Sequence, residues 1–251
     1  MLIYLFLNIA FIVRLYILVS IEEVEKHLGS KVRDPYGRVL GILSSIYSEI
    51  DSSVTGIEVL REDGLLLNIP SERINVTSDG IVIIPEWKIE AIKVEQQLDR
   101  ARKRSRALED LYSSKEIGSQ AYEEIKKSLE ATLNRLKERS KQVKNLLRKR
   151  LGEIEDEILH LDKAINHLKL SYTAGEIGEQ RFKASIENLR SVRNKYLDEK
   201  KDVETHIEIL EKLETETALQ PKIQMETQVM QPKVDIVQQA QQKPIEVRIV
   251  S

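Results

Sequence analysis

Residues 84–112 read IPEWKIEAIKVEQQLDRARKRSRALEDLY, and the predicted fold changes class inside this stretch. Pro85 ends a β-rich segment, since proline has no amide hydrogen to donate to a strand ladder. From Glu86 onward the apolar side chains recur at alternating steps of four and three residues, which is the seam of a coiled coil. The seam positions are Trp87, Ala91, Val94, Leu98, Ala101, Ser105, Leu108 and Tyr112. The sequence therefore predicts a β-domain before Pro85 and a helical rod after it.

Short β-rich runs separated by turn signals fill the segment from Gly29 to Pro85. The turn signals read DPYG at 34–37, DSS at 51–53, EDG at 62–64 and SDG at 78–80. This spacing predicts a small barrel of about five or six antiparallel strands. The predicted interior residues are Val39, Ile42, Ile46, Val54, Ile57, Val59, Leu65, Leu67, Ile69, Ile81 and Ile83. Because about 60 residues is near the lower limit for an independent core, we expect this domain to be stabilised by pairing or by packing on its neighbour.

Two further helices continue the predicted rod. The second carries an apolar stripe that begins at Tyr122 and ends at Tyr172, and the third carries one that begins at Phe182 and ends at Leu213. At about 1.5 Å per residue, the second helix would form a rod of roughly 75 to 80 Å.

An internal repeat separates the helices. Residues 112–122 read YSSKEIGSQAY, and residues 172–182, sixty positions later, read YTAGEIGEQRF. We interpret both copies as turns in which Gly118 and Gly178 let the backbone leave the helix. The rod should therefore fold back twice, or open into longer helices, and the sequence is compatible with both.

The C-terminal part of the chain loses the helical period. Residues 217–243 are rich in glutamine, which is the composition of a flexible linker, and residues 244–251 read PIEVRIVS, a largely alternating pattern. A strand at the end of such a linker has no sheet of its own, so we expect it to add to a partner's sheet edge. The predicted partner-binding residues are Pro244, Ile245, Val247, Ile249 and Val250. Residues 234–237 (VDIV) are a weaker second candidate.

An apolar leader, MLIYLFLNIAFIVRLYIL, occupies residues 1–18. Its length is close to that of a bilayer span, but Arg14 would cost about 3 kcal/mol in lipid. A signal peptide is disfavoured, because positive charge before the apolar run and small residues at a cleavage site are both missing. The leader is therefore either a membrane anchor or the product of a start site assigned too far upstream, with the working protein beginning near Val19.

The composition argues against a globular enzyme. Charged residues make up 32% of the chain and aromatic residues 5%, a profile typical of long helices. There is no cysteine, which excludes disulfides and thiol chemistry and is compatible with a reducing cytoplasm. No phosphate-binding loop, dinucleotide fingerprint or nucleophile elbow occurs in the sequence. We predict that the protein is not an enzyme and has no catalytic, cofactor-binding or metal site.

Charge is polarised along the rod, although the net charge is only -2. Residues 97–150 carry 16 basic and 8 acidic side chains, whereas residues 151–216 carry 10 and 16. The basic part opens with Arg100, Arg102, Lys103, Arg104 and Arg106, which we call the basic run. In one reading, the two parts pair with each other within the folded rod or between subunits. In the other, the basic run contacts anionic lipid headgroups or nucleic-acid phosphates.

Residues 28–41, LGSKVRDPYGRVLG, resemble the opening of PRC-barrel domains. They are followed by IPEWK at 84–88, ARKRSRALE at 101–109, a coiled coil and a terminal strand. In this order of parts, the chain from about Val19 onward resembles the CdvA family of archaeal cell-division proteins. The predicted fold class is therefore α+β in several parts. These are the leader over 1–18, a PRC-barrel-like β-domain over 19–85, coiled-coil helices over 86–216, the linker over 217–243 and the docking strand over 244–251.

The resemblance implies a cytoplasmic protein that gathers on the membrane at the division site, polymerises, and recruits the ESCRT-III homologue CdvB. In the family, the C-terminal segment adds a strand to the winged-helix domain of CdvB, and the matching positions here are 245–250. The family is also linked to DNA-associated filaments, so non-specific DNA is a further expected partner. The competing hypothesis is a nucleoid- or RNA-associated binding protein that uses the barrel and the basic run.

Overall fold

The computed structural model describes residues 19–217, except for the side chains of residues 216 and 217. The leader over 1–18, the linker from residue 218 and the docking strand over 244–251 lie outside the described residues, so the interpretations of these segments stay predictions. Within the described part, a six-stranded sheet precedes long helices, which confirms the predicted α+β layout.

The β-domain contains one short helix and six strands. Their bounds are α1 Ile21–Val24, β1 Lys31–Arg33, β2 Val39–Ser48, β3 Val54–Leu60, β4 Leu66–Pro70, β5 Ile74–Thr77 and β6 Gly80–Ile83. The strand order is β4-β3-β2-β1-β6-β5. All neighbours are antiparallel except β1 and β6, because the β5–β6 hairpin returns with β6 running alongside β1 in the same direction. The prediction of antiparallel strands alone is therefore wrong at this pair.

The sheet has two edges. Strands β4 and β5 are joined by the 3-10 turn Ser71–Arg73 but are not hydrogen-bonded to each other. Pro70 is the last residue of β4, and because proline has no amide hydrogen it cannot donate a hydrogen bond to a further strand at this edge. Closure of the sheet into the predicted barrel is therefore not shown.

The core of the β-domain consists of Val24, Val32, Leu43, Val54, Ile57, Val59, Ile69, Ile74, Ile81 and Ile83. Three of the predicted interior residues, Val39, Ile42 and Leu65, are instead exposed. In β2 the inward positions are Gly41 and Leu43, so the alternation of the strand turns Ile42 outward. Val39 lies beyond an irregularity in the register between β1 and β2, and Leu65 lies in the turn before β4.

The rod consists of α2 (Glu86–Ser113), α3 (Ser119–Thr173) and α4 (Glu179–Thr217). The chain reverses after α2 and again after α3, and each of the three helices packs on the other two. Of the two arrangements that the repeat allowed, the structure has the closed hairpins. Helix α3, with 55 residues, is about 82 Å long at 1.5 Å per residue.

All three helices share one apolar core near the middle of α3. Its buried residues are Trp87, Ala91, Val94, Leu98, Val143, Leu147, Ile154, Val203 and Leu210. At each end of this core the rod continues as a two-helix hairpin. We call the α2–α3 end, residues 99–135, arm 1, and the α3–α4 end, residues 159–195, arm 2.

The charge polarity of the rod is partly neutralised within the molecule. Three ion pairs connect the basic middle of α3 with the acidic second half of α4. They are Lys144–Glu214 at 2.7 Å, Arg148–Glu211 at 3.3 Å and Arg150–Glu199 at 2.9 Å. Of the two readings of the charge pattern, pairing within the folded rod therefore accounts for this central part.

The two copies of the internal repeat have the same turn geometry. Tyr112 stacks on Tyr122 with ring centroids 4.1 Å apart, and Tyr172 stacks on Phe182 at 4.2 Å. The residues with positive φ are Lys115, at 62°, and its equivalent Gly175, at 78°.

The role predicted for Gly118 and Gly178 is corrected by this geometry. Both glycines stand just before a helix, and their carbonyl groups accept the amides of Tyr122 and Phe182. Gly118 has an ordinary φ of -75°. The backbone leaves the preceding helix three residues earlier, at the positions with positive φ.

Candidate functional site: a polar junction between the β-domain and the rod

The turn between β1 and β2 is the part of the β-domain that reaches α4. Asp34 Oδ1 accepts hydrogen bonds from the backbone amides of Tyr36 and Arg38, at 3.0 and 2.8 Å. Gly37 has a φ of 79°, a conformation that glycine adopts without steric cost. The Gly37 carbonyl accepts a hydrogen bond from Nζ of Lys195 in α4, at 2.9 Å. The sequence DPYGR at 34–38 thus specifies a fixed turn that aims Tyr36 and Arg38 at the rod.

Glu199 of α4 is the centre of the junction, and it is only 1% exposed. Arg38 Nη2 lies 2.6 Å from Glu199 Oε2. Arg150 of α3 donates to both carboxylate oxygens, through Nε at 2.9 Å and Nη2 at 3.1 Å. Trp87 of α2 donates from Nε1 to Oε1 at 3.3 Å. One carboxylate therefore connects the β-domain with all three helices of the rod.

A second carboxylate, Asp202, lies about one turn further along α4. Asp202 Oδ2 accepts hydrogen bonds from Tyr36 Oη and from Lys88 Nζ, each at 2.6 Å. The next turn carries His206, which is buried and has its Nδ1 2.6 Å from Oε1 of Glu95 in α2. The polar contacts between α2 and α4 thus extend over two turns.

Aromatic rings complete the junction. The guanidinium carbon of Arg38 lies 5.2 Å from the ring centroid of Tyr36 and 4.8 Å from that of Tyr196 in α4. The negative face of an aromatic ring attracts a cation at this range. The His206 ring meets Trp87 edge to face, with centroids 5.9 Å apart. Arg38 and Trp87 therefore contact aromatic rings in addition to the carboxylate of Glu199.

The local environment fixes the protonation of three junction side chains. Burial, followed by the charge of Asp202, raises the pKa of Tyr36 well above its ordinary value, so the phenol stays protonated and donates a hydrogen bond to Asp202. The hydrogen bond with Glu199 raises the pKa of Arg150. Burial lowers the pKa of Arg38, but the charge of Glu199 and the contact with Asp34 outweigh burial, and the net shift is upward. Both guanidinium groups therefore stay charged.

The contacts of the junction fix the position of the β-domain on the rod. Separating the β-domain from the rod would remove Arg38 from Glu199 and Tyr36 from Asp202. A buried charge that loses its partner is strongly unfavourable, so the bound orientation is favoured over a loose one. The junction thus meets the expectation that this small domain is stabilised by packing on its neighbour.

The basic run lies on arm 1, outside the junction. Arg102 and Lys103 are each 2.7 Å from a carboxylate oxygen of Asp99 on the same helix. Arg100, Arg104 and Arg106 are exposed and form no ion pair with any other residue in the range 19–217. No carboxylate of residues 19–217 therefore prevents these three side chains from binding an anionic partner.

The sequence interpretation missed Glu199 and His206, although a signal for both was present. The seam of α4 continues through positions 192, 196, 199, 203, 206, 210 and 213, again at alternating steps of four and three. Such positions are normally apolar, so a charged residue and a histidine there indicate a buried polar contact.

Within residues 19–217, no helix combines the length and the apolar character that a bilayer span requires. The same range holds no group of three or more His, Cys, Asp or Glu side chains placed to bind a metal ion. The predicted partner-binding residues over 244–250 lie beyond it.

Fold and junction together define a class of protein in which a small β-domain is fixed to a folded coiled-coil rod. Residues 86–233 match the family model described as the CdvA-like coiled-coil domain. The chain is also 35% identical to Cell division protein A of Sulfolobus acidocaldarius over 235 residues, which are 93% of this chain and 98% of that protein. The chain belongs to the CdvA family. No solved structure matches it.

Proposed function

We propose that the protein is a structural scaffold of archaeal cell division. It assembles on the membrane at midcell and recruits the ESCRT-III homologue CdvB through its C-terminal strand. The observation that carries this proposal is the likeness to Cell division protein A, which extends over 93% of the chain and includes both the β-domain and the rod. The junction supports a structural role rather than a catalytic one, because its carboxylates are engaged in holding the β-domain on the rod.

Recruitment of CdvB is assigned to residues 244–251. Alternation places Ile245, Val247 and Ile249 on one face of a strand, where they can enter apolar pockets while the main chain pairs with a sheet edge of the winged-helix domain. Affinity in this mode comes largely from main-chain hydrogen bonds, and side-chain pockets add specificity.

Val247→Pro is expected to weaken binding of the CdvB winged-helix domain at least tenfold, because proline removes a ladder donor as well as a side chain. Val247→Ala should weaken binding less, and Glu246→Ala, on the opposite face, should change it little. Isothermal titration calorimetry with the three variants measures this order. Equal affinity of the proline variant and the parent would refute the strand mode and leave residues 234–237 or the rod as the recruiting surface.

Membrane contact is assigned to Arg100, Arg104 and Arg106, the part of the basic run that forms no ion pair within residues 19–217. Each basic residue close to an anionic surface contributes about 1 kcal/mol. Reversing the charge of Arg100, Arg104 and Arg106 with glutamate is therefore expected to weaken binding to anionic vesicles by at least about 3 kcal/mol, roughly a hundredfold or more. Vesicle co-sedimentation of the chain from Val19 onward measures this without the leader.

The matched control reverses three exposed basic residues of arm 2, namely Lys169, Arg181 and Arg190, so that the change in net charge is the same. It should leave vesicle binding close to that of the parent. The second candidate function, binding to DNA or RNA phosphates, rests on the same three arginines of arm 1. If the arm 1 variant keeps vesicle binding and loses duplex DNA binding, the basic run serves nucleic acid.

Assembly is assigned to the rod. Large apolar side chains stay exposed on both arms, among them Leu111, Ile125 and Val192. Exposed apolar surface on a coiled coil favours association with further helices. We therefore expect multimers whose size increases with protein concentration.

A further inference from the structure

Arm 2 carries an open groove between its two helices, with a volume of about 550 Å³. Residues that line it include Ala164, Leu168, Ser171, Ile177, Ser185 and Leu189. Leu168, Ile177 and Leu189 provide an apolar lining. The small side chains of Ala164, Ser171 and Ser185 leave room that larger residues would fill.

The groove continues the surface on which α2 packs. On α4, residues Ser185, Val192, Glu199 and His206 follow one another at steps of seven, so they lie on one stripe. Glu199 and His206 are buried and contact Trp87 and Glu95 of α2, whereas Val192 and Ser185 are exposed. On α3, steps of seven likewise connect Val143 and Arg150 with Ala164 and Ser171, so these residues also lie on one stripe. The groove is thus the part of this surface that lies beyond α2, which begins at Glu86, and beyond the contact of the β-domain with Lys195.

Arm 1 has large apolar side chains at the positions where arm 2 has small ones. The sixty-residue repeat aligns Leu111 with Ser171 and Ile125 with Ser185. Leu111 is 39% exposed and Ile125 is 49% exposed. Because the two turns have the same geometry, Leu111 and Ile125 place two exposed apolar side chains where arm 2 has two serines and a groove. We call this pair the ridge.

We propose that the ridge of one copy of the chain seats in the groove of a second copy. The proposal rests on the self-association proposed above and names its contact surfaces. Within one molecule the ridge and the groove cannot meet, since about 65 Å of α3 separates Ile125 from Leu168. Each copy then has a free ridge at one end and a free groove at the other, so copies add head to tail in an open chain.

Disulfide cross-linking tests this contact directly, because the chain contains no cysteine of its own. The full-length chain carrying both Leu111→Cys and Ser171→Cys is expected to give a ladder of disulfide-linked multimers on mild oxidation. Either substitution alone allows each copy one disulfide and should stop at dimers. The control pairs Leu111→Cys with Leu159→Cys, an exposed position about 18 Å along α3 from Ser171 and outside the groove. A ladder of equal strength from the control would overturn the proposal.

Sedimentation gives an independent readout. Leu111→Glu with Ile125→Glu would bring two carboxylates into the groove, so the full-length variant is expected to need at least tenfold more protein than the parent to form multimers. Leu159→Glu with Leu170→Glu, which are exposed outside the groove, should behave as the parent does. Helical circular dichroism checks that both variants are folded. A parent that sediments as a single copy at every concentration would defeat self-association, whereas equal multimers from the parent and the ridge variant would defeat only this contact.

Discussion

Glu199→Ala is expected to lower the free energy of unfolding by about 3 kcal/mol. The substitution leaves Arg38 and Arg150 next to a cavity without the carboxylate that they share, and it removes the acceptor of the Trp87 indole. We expect the lower end of the range for a broken buried ion pair, because both arginines keep some access to solvent. Urea denaturation followed by tryptophan fluorescence measures the effect, since Trp87 is the only tryptophan and lies at the junction.

The matched control for this substitution is Glu153→Ala. Glu153 also lies 2.9 Å from Arg150, but its side chain is exposed on α3. Exposed ion pairs contribute little, so the control should cost less than about 1 kcal/mol. If the two alanine variants lose the same stability, the junction is not held by the buried carboxylate.

Gly41→Ala is expected to destabilise the β-domain by about 3 kcal/mol or to prevent its folding. A Cβ atom at this position would lie 2.3 Å from the carbonyl oxygen of Leu60 and 2.8 Å from its carbonyl carbon. Both are backbone atoms of the neighbouring strand β3, so β2 and β3 would have to separate. Thermal unfolding followed by circular dichroism and by Trp87 fluorescence measures the loss.

Gly152→Ala is the matched control, and we expect it to stabilise the protein rather than destabilise it. Gly152 lies inside α3, and an added Cβ would have no heavy atom within 4 Å. Alanine in a helix interior is favoured over glycine, so a gain of about 0.5 to 1 kcal/mol is expected. A destabilisation of similar size in both variants would show that the space at Gly41 is not the cause.

The seam of α2 shows what local sequence information can predict. Every seam residue from Trp87 to Leu108 is buried, because a heptad pattern determines which face of a helix meets its neighbours. Tyr112 is the exception and lies at the end of the helix, where it stacks on Tyr122. The pairing of Arg102 and Lys103 with Asp99 is equally predictable, because residues three and four positions apart are neighbours on a helix surface.

The β-domain and the hairpins show where local information ends. The outward direction of Ile42 is decided by the close approach of Leu60 to Gly41, which belongs to a neighbouring strand. Closed and open hairpins bury the same apolar stripes, so the pattern was compatible with both. The contacts of Glu199 join residues up to 161 positions apart, and no periodicity along one helix can identify such partners.

Helices α2 and α4 run in the same direction through the junction, because Trp87 contacts Glu199 and Glu95 contacts His206. The β-domain is joined to the first residue of α2, whereas the chain leaves α4 at Thr217, beyond the far end of this contact. Tension applied between these two points would act along the helices and strain the polar contacts in shear, all at the same time. Tension across the helices would instead peel the contacts apart one after another. The junction should therefore withstand a higher force along the rod than across it.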